Sequence, residues 1–123
     1  MRTAPLALAT LILAAPGLAA PAFAHARLVQ AVPAVDGKAM PPPTELRLTF
    51  SEAIELSFTK VRVTGPGEKP VETGKPRLDP GDKATVVVPL AAPLADGAYT
   101  VDWQALSAVG HKTKGSYRFE SMK

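Results

Sequence analysis

The chain has 123 residues, with 14 Lys and Arg against 11 Asp and Glu, a formal charge of +3, and no cysteine. The positive excess is too slight, and its Lys and Arg too evenly scattered, for a nucleic-acid-binding patch. The lack of cysteine removes disulfide staples and thiolate metal sites together, so a hydrophobic core must hold the fold.

The chain opens with Met1, Arg2 and Thr3, one positive charge, followed by an uncharged apolar run over residues 6–15. Pro16, Gly17 and Pro21 break it, and Ala22, Phe23 and Ala24 form a small-x-small tripeptide. This is the layout of a secretory signal, removed on export. The run falls short of the roughly 20 residues of a membrane span. Residues 1–24 are therefore expected to be a signal peptide, and 25–123 one small exported domain with no membrane insertion. His25 becomes its first residue. A terminal histidine is a ready chelate, because its α-amine and its own Nδ1 close a six-membered ring on one metal ion, and His111, the other histidine of the chain, can supply a third nitrogen.

Beyond His25, short segments of alternating polar and apolar residues predict strands over 27–32, 45–50, 60–64, 98–106 and 116–120. A weak strand is expected near Val71. Residues 84–90 hold Val86, Val87 and Val88 in a row, which predicts a strand covered on both faces. The alternation of Tyr99, Val101 and Trp103 puts those three toward the core and Asp102 toward solvent. Pro41, Pro42 and Pro43 require extended linker backbone, Pro89 and Pro93 frame a loop, and 69–80 reads as the least structured, most mobile stretch. About seven strands at this spacing give an all-β domain, a small Ig-like sandwich.

Several of these segments together resemble the CopC family of periplasmic copper-resistance proteins: His25-Ala26-Arg27-Leu28, Pro33-Ala34, Leu48-Thr49-Phe50-Ser51-Glu52, Gly97-Ala98-Tyr99-Thr100-Val101-Asp102-Trp103, and Gly110-His111-Lys112-Thr113-Lys114-Gly115. The resemblance implies a Greek-key β-barrel or sandwich in the periplasm that binds Cu(II) through the terminal amine and ring of His25 and the ring of His111, the arrangement called a histidine brace. Nitrogen-rich tetragonal coordination suits Cu(II), which also tops the divalent affinity order. Glu52 matches a family glutamate near the metal. One position departs: the family's second histidine usually belongs to an Asp-x-His motif, and here the aspartate's place is taken by Val109, which cannot ligate. The methionines beyond the signal, Met40 and Met122, stand apart in sequence, so the Met-rich Cu(I) site of some family members is expected to be missing.

The function this implies is non-catalytic: a periplasmic monomer that sequesters Cu(II) or delivers it to an inner-membrane importer of the CopD type, with no nucleic-acid partner. Two other readings stand beside it. One is a β-sandwich adaptor that has lost its metal and binds another exported protein. The other is an oxidative enzyme, since a histidine brace also serves lytic polysaccharide monooxygenases, although one Trp, two Tyr and four Phe leave little for a flat glycan-binding face.

Overall fold

In a computed structural model, described for residues 26–123 and, before them, for Thr3, the chain forms nine strands. The leader expected over 1–24 and His25 itself lie outside the described residues, apart from Thr3. In chain order the strands are β1 (Leu28–Val32), β2 (Lys38–Ala39), β3 (Glu45–Phe50), β4 (Lys60–Thr64), β5 (Pro70–Val71), β6 (Arg77–Asp79), β7 (Asp82–Pro89), β8 (Gly97–Leu106) and β9 (Lys112–Ser121). They make two sheets, one ordered β1-β3-β7-β6 and the other β2-β9-β8-β4-β5. Pairing is antiparallel throughout, save for the short β2, which runs parallel to β9.

The all-β sandwich expected from the alternation is what forms. Each of the seven expected strands is present, and β2 and β6 are additional. β6 lies inside the stretch expected to be a mobile loop, which instead carries β5 and β6 as the edge strands of the two sheets. Such short pieces have no room for a periodic signal; tertiary pairing with Val63 and Thr64 on one side, and with Val86 and Val87 on the other, creates them.

The alternating residues of both sheets meet in one core. β3 contributes Leu46, Leu48 and Phe50, β7 contributes Val86 and Val88, and β8 and β9 contribute Tyr99, Val101, Trp103, Tyr117 and Phe119. Phe50 meets Trp103 edge to face at 5.1 Å, and Tyr99 stacks on Phe119 at 5.5 Å. Such aromatic pairs add about 0.5–1.5 kcal/mol each beyond the area they bury. Trp103 also dictates its cross-strand neighbour: a Cβ on Gly115 would stand 2.5 Å from the indole Cζ2. Glycine at 115 is thus the space into which the indole packs.

Val87 is fully buried yet belongs to the outer face of its sheet, so the reading of 84–90 as a strand covered on both faces holds. Its register partners are Arg47 and Arg77, long side chains that shield apolar surface with their methylenes. Arg47 reaches Glu45 at 3.9 Å and Asp79 at 3.3 Å, while Arg77 reaches Glu45 at 3.5 Å. On the same strands Thr49 and Thr85 share a 2.8 Å hydrogen bond, and Thr85 donates to Asp82.

Candidate metal centre

Three segments distant in sequence converge at one end of the sandwich: residues 26–27, 51–54 and 107–113. Ala26 is fully buried, and its carbonyl accepts a 2.8 Å hydrogen bond from the Thr113 hydroxyl. Arg27 N–H donates to Ser51 Oγ at 2.9 Å, and its carbonyl accepts from Ser51 N–H at 2.8 Å. The described chain therefore begins clamped between the end of β3 and the start of β9. Thr113 is two residues beyond His111, and Ser51 is one residue before Glu52.

The turn joining β8 to β9 is equally fixed. Ser107 is buried, donates its N–H to the His111 carbonyl at 2.9 Å, and accepts the His111 N–H on its hydroxyl at 3.1 Å. Gly110 donates to the Ser107 carbonyl at 2.9 Å with a φ of 95°, the left-handed region that glycine enters without penalty. The turn is tied to the Glu52 segment through Ala108 N–H on the Ala53 carbonyl at 3.0 Å and a bridge between Ile54 and Ser107. His111 is thus held on a rigid loop, half-buried, beside the segment that carries Glu52.

Glu52 supplies the most informative side-chain feature. Its Oε1 is buried and has no hydrogen-bond partner. Leaving a buried carboxylate oxygen unsatisfied costs free energy that a neighbouring cation or ammonium would recover. Val109 is 68 % exposed in the turn and carries no donor atom. Among the described residues, no three His, Asp or Glu side chains gather as a metal cluster, so a complete metal site requires a donor from outside them.

Other expectations find their places. Asp102 is exposed on the outer face of β8, and Trp103 and Tyr99 are core residues, the Tyr99 hydroxyl donating to the Ala95 carbonyl at 2.7 Å. Burial pushes the Tyr117 hydroxyl well above its usual titration range, and its oxygen has no partner. Met40 and Met122 are not spatially isolated: Met122 N–H donates to the Ala39 carbonyl at 3.0 Å, so β2 and β9 bring the two together at their ends. The sequence hides this because the strand that achieves it is two residues long. A pair is still no methionine-rich cluster.

The fold and the convergent turn define a small two-sheet sandwich whose first strand and last hairpin meet at one end. Residues 28–121 match the CopC domain family, and the chain belongs to that family. It is 39 % identical over 97 residues to protein YobA of Escherichia coli K12, covering 79 % of this chain and 78 % of that one. It is 34 % identical over 110 residues to copper resistance protein C of Escherichia coli, covering 84 % and 86 %. Among solved structures, PcoC, a methionine-rich copper resistance protein from Escherichia coli, superposes with a TM-score of 0.73 at 30 % identity, covering 80 % of this chain and all of that one. No helix among the described residues is long and apolar enough to cross a membrane.

Proposed function

We propose that the protein is an exported, periplasmic Cu(II) carrier: once residues 1–24 are removed, the α-amine and Nδ1 of His25 and the ring of His111 hold one Cu(II), with the Glu52 carboxylate beside it. The observation that carries this reading is the double clamp on Ala26 and Arg27, which ties the chain next to His25 to Thr113 and Ser51, the near neighbours of His111 and Glu52. Consecutive Cα atoms lie about 3.8 Å apart, so the peptide bond to Ala26 keeps His25 close to that clamp. The buried, unpartnered Glu52 Oε1 then has a cation to face.

Three nitrogens and one carboxylate suit Cu(II), whereas Cu(I) favours thioether or thiolate donors. The relative PcoC is described as methionine-rich; here only Met40 and Met122 follow residue 24. The proposed role is therefore sequestration of Cu(II), or its delivery to an inner-membrane importer of the CopD type, without catalysis. Valine at 109 in place of a carboxylate leaves the complex one unit more positive and opens a coordination position to water or to an incoming ligand.

The test is a Cu(II) titration against a competing chelator, followed by electron paramagnetic resonance, on protein beginning at His25 and on protein carrying one extra residue ahead of it. Tight one-to-one binding with nitrogen hyperfine structure, lost by at least two orders of magnitude in the extended protein, is the expected result. Equal affinity in the two proteins sinks the brace. Weak or absent binding in both favours the metal-free adaptor, a reading to which Val109 lends its one specific support.

A further inference from the structure

The outer face of the five-stranded sheet carries an excess of positive charge. Side chains alternate along β4, β8 and β9, so Lys60 and Arg62, and Lys112, Lys114 and Arg118, all project to the same exposed face. Register assembles them into cross-strand rows: Lys60–Gln104–Lys114, then Arg62–Asp102–Ser116, then Thr64–Thr100–Arg118. Among the described residues none of these five cations has a carboxylate within ion-pair distance. The acidic groups of the face are Asp102, in register with Arg62, and Glu120, 3.9 Å from Lys38. The middle of the face is concave, a groove of about 800 Å³ walled by Lys60, Arg62, Gln104, Lys114 and Ser116, with Trp103 and Gly115 along its floor.

The five cations outnumber the acidic groups of the same face, Asp102 and Glu120, so the face as a whole is positive. A partner that supplies carboxylates complements it. An exposed apolar side chain lies two residues before the groove residue Lys60. This is Phe58, 63 % exposed, on a short turn that packs against β8.

We infer that this face is a docking surface for an acidic, extended segment of a partner protein, with carboxylates at alternate residues and an apolar side chain against Phe58. Alternate residues of an extended segment are about 6.6–6.8 Å apart, the same as the spacing of successive outward-facing rows on the sheet. The concavity fits a single strand of chain rather than a planar bilayer. The inference stands apart from copper, since none of these residues belongs to the proposed metal centre.

The test uses the full mature protein and a synthetic peptide, Leu-Ala-Glu-Ala-Glu-Ala-Glu, whose Leu shares a face with the Glu residues, with its Gln counterpart as control. Binding is followed by Trp103 fluorescence and by backbone amide shifts. The expected result is shifts confined to residues 58–64, 100–104 and 112–118, absent with the Gln peptide. Affinity should fall roughly tenfold between about 20 and 200 mM salt, as exposed charges become screened beyond a Debye length of about 8 Å. Arg62→Glu with Lys114→Glu should abolish the response, and Arg62→Gln with Lys114→Gln should weaken it if the reversed pair folds poorly, while Lys83→Glu on the opposite sheet leaves it intact. No response, shifts scattered over the whole surface, equal sensitivity to Lys83→Glu, or binding to phosphatidylglycerol vesicles with a silent peptide would each overturn the proposal.

Discussion

The two outer faces of the sandwich solve the same problem in opposite ways. On the four-stranded sheet, Glu45, Arg47, Arg77 and Asp79 interlock, and beneath them Val87 is sealed from water. On the five-stranded sheet, five cations surround Asp102 over an open groove. The first face is chemically complete in the isolated molecule and the second is not. Exposed ion pairs contribute little stability singly, with a median near 0–1 kcal/mol, so the difference between the faces concerns what each offers to other molecules more than how firmly each is held.

The sharpest way to break this comparison is to place the same cation on each face. Val87→Lys puts an unpaired charge into a fully buried position flanked by two arginines, and should cost about 3 kcal/mol or more in urea unfolding. Asp102→Lys on the exposed face should change stability by no more than about 0.5 kcal/mol. Comparable losses would mean that the faces are not differently closed.

Next in size is the floor of the groove. Gly115→Val drives a side chain into the indole of Trp103 and should cost about 1–3 kcal/mol through overpacking, with a red shift of tryptophan emission as the ring is displaced. An unshifted spectrum and unchanged midpoint would show that the sheet yields there at no cost. Arg47→Ala removes contacts to Glu45 and Asp79 and the cover over Val87, for about 1 kcal/mol, whereas Arg62→Ala should lie within about 0.5 kcal/mol of the parent.

The smallest effect is a pH dependence on the closed face. Hydrogen bonds from Ala84 N–H and then from the Thr85 hydroxyl hold the Asp82 carboxyl below its ordinary value of 3.8. A group depressed in the folded state contributes stability above its unfolded value and loses it as pH falls through the folded one. Asp82→Asn should therefore lower the thermal midpoint slightly at neutral pH, with the gap to the parent closing below about pH 3.8. A gap that persists in acid would assign the effect to lost hydrogen-bond geometry instead of charge.

Alternation was enough to read the long strands, because a sheet with one buried face leaves period two in its sequence; Tyr99, Val101 and Trp103 obey it, and so does exposed Asp102. The run of Val86, Val87 and Val88 was legible for the complementary reason, burial on both faces. Within 69–80, read as the least structured stretch, β6 left no signal because it is a three-residue edge piece whose partners on β7 lie in another segment. At the candidate metal centre the sequence named His25, His111 and Glu52. The clamp by Ser51 and Thr113, residues with no ligating role, left no signal there beyond their place in the family-like segments.

By itself, then, the sequence determined the sandwich class and the inward and outward residue of each long strand, since both are local properties of residue type and spacing. Tertiary structure decided which segments meet. It brought Ala26 to Thr113, Met40 toward Met122, and Lys60 and Arg62 into register with the basic residues of β9. The lysines and arginines look evenly scattered along the chain because register between distant strands, which follows from how the core packs, is what gathers them onto one face.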